Sequence, residues 1–220
     1  MTGMSTTARP AIFAPAAALA GPGAIVFALA GLVAIRVVGS RAGLDPLFLG
    51  AAFGAALTAV ALIGRDSAPV GEVHGRRGNA RSRARSVVGS LAIGVGVGVA
   101  LATLAFLGPA IAGTTYVPGL GRPAAPFVPW ALITIVVASA EEGVLRGILF
   151  DRVQRLAGLT PAIALTTIAF ALLHVPLYGW HVVPLDLAVG LVLAGLRVWT
   201  RGLVAPAAAH VVADLATWWL

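Results

Sequence analysis

The sequence predicts an all-α, polytopic transmembrane helical bundle of about seven spans, within a range of about six to eight. Three observations predict it. Of 220 residues, 59% are hydrophobic and 10% charged, with a mean hydropathy of +0.97, too little polar surface to cover a water-soluble domain. The apolar residues run together for roughly 15–20 positions, the length of a membrane-crossing helix, instead of alternating as barrel strands do. All fifteen cations are arginine and they fall between the apolar runs, the distribution that membrane topology produces. The net charge of +7 is therefore no argument for a nucleic-acid partner. The absence of cysteine removes disulfides, thiolate catalysis and cysteine-ligated metal together. The absence of lysine beside abundant Ala, Gly, Val, Arg and Pro suggests a GC-rich coding genome.

The first span is expected within residues 11–35, interrupted by Pro15 and by Gly21, Pro22 and Gly23. Ala18-Leu19-Ala20 has the form of a signal-peptidase site, but the apolar run continues past it and only Arg9 precedes it, so an uncleaved span is preferred. A second span covers residues 44–63. The loop 65–86 then carries Arg65, Arg76, Arg77, Arg81, Arg83 and Arg85, with His74 among them as a solvated residue. A third span covers 87–112, and its Gly94 and Gly98, four residues apart, would let another helix approach closely. Residues 113–129, with Pro118, Pro123, Pro126 and Pro129, read as a proline-rich loop. Four further spans are expected over 130–150, 159–178, 182–199 and 202–220.

Placing the loop 65–86 in the cytoplasm by the positive-inside rule puts Arg9, Arg146, Arg152, Arg155, Arg197 and Arg201 on the same side, and Arg36, Arg41 and Arg122 opposite. Trp180 and His181 then fall in an external turn and Trp218-Trp219-Leu220 at the outer interface, the usual place of an aromatic belt. The arginine-rich loop suits anionic lipid headgroups. The chain shows no internal repeat.

A carboxylate near the bilayer centre costs roughly 2.5–3.5 kcal/mol, so each one inside an apolar span asks for a reason. The fourth span holds two, Glu141 and Glu142. Glu142 and Arg146 lie four apart on one helix face and can pair, whereas Glu141 is rotated about 100° away. One carboxylate held by a cation beside another without that partner is an arrangement that separates their acidities, which makes Glu141 the candidate base. In the fifth span, Phe170 and His174 share a face; in the seventh, His210 and Asp214 do. Each pair alone is compatible with simple packing. Three spans that could collect them in one interior supply a general base for water, a second proton-sharing group and donors for an oxyanion, the parts of an amide hydrolase. Asp186 is an interfacial or lining carboxylate.

Glu141-Glu142-x-x-x-Arg146, Phe170-x-x-x-His174 and His210-x-x-x-Asp214, in this order, resemble the three motifs of the CPBP (CAAX protease and bacteriocin-processing, or Abi) intramembrane glutamic endopeptidases. The resemblance covers residues 130–220, the expected catalytic core, and leaves 1–129 as preceding transmembrane helices with their basic loop. It implies that Glu141 activates water with His174, that Glu142 and Arg146 form a supporting pair beside Phe170, and that His210 and Asp214 occupy the oxyanion side. The family often has Asn where this chain has Asp214; an ionised Asp only accepts hydrogen bonds, so Asp214 is expected to orient His210, or to be protonated and donate.

The resulting expectation is an integral membrane peptidase of a bacterial cell membrane, without a cofactor, acting on a membrane-associated or lipidated peptide or protein. The rival in chemistry is a zinc metallopeptidase using the same His and Glu residues, although no helix carries the compact His-Glu-x-x-His arrangement. Rivals of other classes are a non-catalytic immunity or scaffold protein and a small transporter. No feature specifies an oligomeric state or chooses among substrates. Counting 1.5 Å per residue puts Glu141 roughly 14 Å and His210 about 12 Å from the inner ends of their spans but His174 near 22 Å. Something must bring these depths together, such as a deeper start of the fifth helix at Pro161 or a kink near Pro176.

Overall fold

The computed structural model describes residues 21–66, 80–111 and 125–219, and no described segment forms a strand. The helices are α1 (Pro22–Arg41), α2 (Pro46–Asp66), α3 (Ala80–Ile111), α4 (Phe127–Glu142), α5 (Phe150–Ala157), α6 (Leu159–Tyr178), α7 (Val183–Thr200) and α8 (Val204–Ala216). A π-helical turn, Gly143–Leu149, joins α4 to α5 without a break. Six of the described helical stretches are long and apolar enough to cross a membrane, the α4–α5 rod counting as one. Large apolar side chains lie bare on their outer faces, among them Phe27, Leu104, Leu132 and Leu191, which suits contact with lipid tails. The chain is thus an all-α integral membrane bundle.

Residues 11–20 of the expected first span, including Ala18-Leu19-Ala20, lie outside the described residues, as do Arg9, His74, Arg76, Arg77, Arg122 and Leu220. Proline at the first helical position opens α1, and Asp45 accepts the backbone N–H of Phe48 at 2.8 Å to cap α2. The third helix begins at Ala80, inside the stretch expected as loop. The fourth span differs most: it continues through the π turn to Ala157, seven residues past the expected end at Phe150. Gly158, at φ +91°, then reverses the chain into α6. The seventh expected span is the shortest, because α8 gives way to a 3-10 turn over Thr217–Trp219.

The expected close approach at Gly94 and Gly98 occurs, and its partner is α8. A Cβ on Gly98 would fall 2.7 Å from the Ala209 carbonyl oxygen, and one on Gly94 would collide with that of Ala205, whereas Gly96 faces open space. Elsewhere α2 packs on α4, and α6 on α7. Leu145, Leu149, Phe150, Leu193 and Ala209 build the buried core around which the polar side chains gather. At the other end, Trp218 and Trp219 close against Phe127, with ring centroids 5.2 and 5.6 Å away.

Candidate active site

The longer fourth helix reconciles the depths that did not match. With α5 ending at Ala157, Glu141 lies roughly 24 Å of helix from that end, level with His174 at about 22 Å from the start of α6. The short α8 begins deep in the bundle: Leu203, just before it, reaches within 3.4 Å of where a Cβ on Gly147 would stand. His210 thereby arrives at the same level.

His210 is the centre of the cluster and is 2% exposed. Its Nδ1 stands 3.1 Å from Glu142 Oε1, and an ionised carboxylate can only accept, so Nδ1–H donates. The same oxygen accepts Arg146 Nη1 at 2.8 Å, and both side chains of that pair are fully buried. Arg146 Nη2 donates to the Gly190 carbonyl at 3.1 Å, and its guanidinium carbon lies 4.8 Å from the Phe170 ring centroid. Glu142 is thus clamped between a cation and an imidazole. On the opposite edge, His210 Nε2 faces Glu141 Oε2 at 3.9 Å and Asp214 Oδ2 at 3.5 Å. Exposure rises outward from this edge, from 13% for the Glu141 side chain to 43% for Asp214.

Phe170 connects the two histidines, its ring centroid lying 4.6 Å from that of His174 and 5.3 Å from that of His210. His174 Nδ1 is 2.8 Å from the Phe170 carbonyl, which has no proton to give, so Nδ1–H is the donor and the lone pair of the neutral ring resides on Nε2. The nearest carboxylate to His174 is Asp186, at 3.8 Å from Nδ1, beyond hydrogen-bond reach. The structure therefore gathers Glu141, Glu142, Arg146, Phe170, His210 and Asp214 directly, and pairs Glu141 with His210 where the resemblance had implied His174.

Several contributions go beyond what the sequence specified. Asp186 carried the signal of any carboxylate in an apolar span, but only the packing of α7 on α6 turns it toward His174. Gly190 contributes a backbone carbonyl, which no side-chain pattern announces. The π turn is the third. Phe150 N–H reaches back five residues to Leu145 O, passing over Arg146 O. Arg197 Nε donates to that oxygen at 2.9 Å while its Nη2 pairs with Asp151 at 2.8 Å. Arg152, expected just beyond the end of the fourth span, is buried, and its Nη2 donates to Gly64 O at 2.9 Å.

Among the described residues, no group of three or more His, Cys, Asp or Glu side chains is arranged to hold a metal ion. The acidic groups here meet around one imidazole instead of converging on a common point.

Fold and site define a polytopic helical membrane protein with a buried acid/base cluster. Residues 123–216 match the family model described as type II CAAX prenyl endopeptidase Rce1-like, which supports the CPBP/CAAX protease family. The match supports a CAAX-type intramembrane protease in general. No curated protein and no solved structure matches the chain.

Proposed function

We propose that this protein is a metal-independent glutamic endopeptidase that hydrolyses a peptide bond of a membrane-associated or lipidated substrate, with Glu141 as the base. The observation that carries this reading is the 3.9 Å between Glu141 Oε2 and His210 Nε2. Two polar atoms at that separation form the base of a triangle whose apex, about 2.8 Å from each, suits one water oxygen. Glu141 takes a proton from that water as its oxygen attacks the scissile carbonyl carbon. The Glu142–Arg146 pair holds Nδ1 of His210, so the ring cannot turn its Nε2 away. The developing oxyanion is met by an Nε2–H of His210 or His174 once that nitrogen carries a proton, because both Nδ1–H groups are committed to Glu142 and to the Phe170 carbonyl. Collapse breaks the C–N bond, and the proton on Glu141 passes to the leaving amine. Asp214, at the exposed rim, orients His210.

In this reading the residues 65–86 lie on the cytoplasmic side of a bacterial cell membrane, as the arginine distribution suggests. Cleavage of a prenylated CAAX peptide in proteoliposomes tests the proposal. Activity is expected to survive EDTA and to vanish in Glu141→Gln. Loss of activity to the chelator with recovery on adding zinc would establish the metallopeptidase alternative. A cellular phenotype untouched by Glu141→Gln would establish the scaffold alternative.

A further inference from the structure

Away from the His210 cluster, a cavity of about 660 Å3 opens between α2, the α4–α5 rod and Leu203. Its volume falls in the roughly 300–1,000 Å3 range of small-molecule sites. Its two halves differ in chemistry. One is walled by Ala61, Leu62, Ile135 and Val136, of which the last three are exposed on the lipid-facing surface. The other is ringed by Arg65, Arg152, Arg155 and Arg197. Among the described residues only one carboxylate, Asp151, lines it, and that group is already paired with Arg197 at 2.8 Å.

Arg152 makes this more than a basic patch. Its side chain is buried, with the residue 5% exposed, and Nη2 is spent on the Gly64 carbonyl. Nη1 is buried with no hydrogen-bond partner among the described residues. An unmet guanidinium N–H in a low-dielectric wall is costly, so the site lacks an acceptor. Phosphate oxygens supply several acceptors to arginine forks at once. A free anion would leave the apolar half uncovered, and a neutral lipid would leave the net charge of the arginines uncompensated.

We propose that this cavity binds one anionic phospholipid, its phosphate on the guanidinium groups of Arg65, Arg155 and Arg152 and an acyl chain along Leu62, Ile135 and Val136. The lipid lies against the face of the α4–π rod formed by Ser139, Ala140 and Gly143, next to Glu141 and Glu142 in sequence. It would brace the turn that carries the double glutamate without touching the His210 cluster.

The test is native mass spectrometry of the purified full chain titrated with phosphatidylglycerol or phosphatidylcholine, with melting curves of every variant. One phosphatidylglycerol is expected to be retained at least tenfold more tightly than phosphatidylcholine. Substitution Arg155→Gln, at an exposed position, is expected to weaken retention about fivefold, and R65Q/R155Q about 25-fold, with wild-type melting in neutral detergent. Leu62→Trp, which keeps all the charges, is expected to weaken it by crowding the chain. Equal retention of the two lipids, or retention unchanged in the folded double variant, would overturn the proposal. Displacement of phosphatidylglycerol by equimolar inorganic phosphate would reduce the site to an anion site and overturn the lipid assignment.

Discussion

The two edges of the His210 ring show how one side chain can be both fixed and available. On the Nδ1 edge everything is short and sealed: Glu142 at 3.1 Å, Arg146 behind it at 2.8 Å, and both members of the ion pair fully buried. On the Nε2 edge the distances lengthen to 3.5 and 3.9 Å, and exposure reaches 43% at Asp214. Burial makes the first edge expensive to disturb, because removing one partner strands a charge in low dielectric. The looser edge leaves space for a small polar molecule and for the protons that a reaction moves. Rigidity and reactivity are thus divided between two nitrogens of one ring, and adjacent glutamates serve opposite ends of it.

Substitutions can break this division at graded strength. The largest effect is expected for Glu141→Gln, which keeps volume but abolishes the base: hydrolysis should fall by about 10²–10⁴, the usual contribution of general-base catalysis, with the melting temperature unchanged. If Glu142→Gln instead gave that same pattern, the roles assigned to the two glutamates would be reversed. Next is Glu142→Ala, expected to destabilise by about 3–5 kcal/mol because Arg146 is left buried without its counter-charge, as read by thermal unfolding in detergent.

A smaller effect, about 1–3 kcal/mol, is expected for Gly98→Val, which must push α8 away at Ala209, beside His210. Activity should fall with it. Gly96→Ala, facing open space on the same helix, is the matched control and should leave both melting and turnover unchanged. The smallest effect belongs to Asp214→Asn. An exposed partner at 3.5 Å contributes under about 1 kcal/mol, so turnover should change by less than about fivefold. Complete loss of turnover there would move Asp214 from the rim into the reaction itself.

Much of this arrangement was legible in the order of residues. The Glu142–Arg146 pair follows from four-residue spacing, which holds two side chains on one face in any helix. The Gly94 and Gly98 contact follows from the small volume at the same spacing, although the identity of the partner helix does not. The fourth span runs past Phe150 because Arg152, which looks in sequence like the start of a loop, is buried in the rod. A buried guanidinium group that finds a backbone carbonyl such as Gly64 O is indistinguishable in sequence from a cation facing water.

By itself the sequence determined that the chain is a helical membrane bundle and which polar side chains would be out of place in it. Hydrophobic length and helical periodicity are local properties, readable wherever they occur. Which nitrogen meets which carboxylate was decided only in three dimensions. The π turn, the deep start of α8 and the packing of α7 on α6 set the relative depth and rotation of helices far apart in the chain. Those quantities come from side-chain fit between helices, and no single helix encodes them.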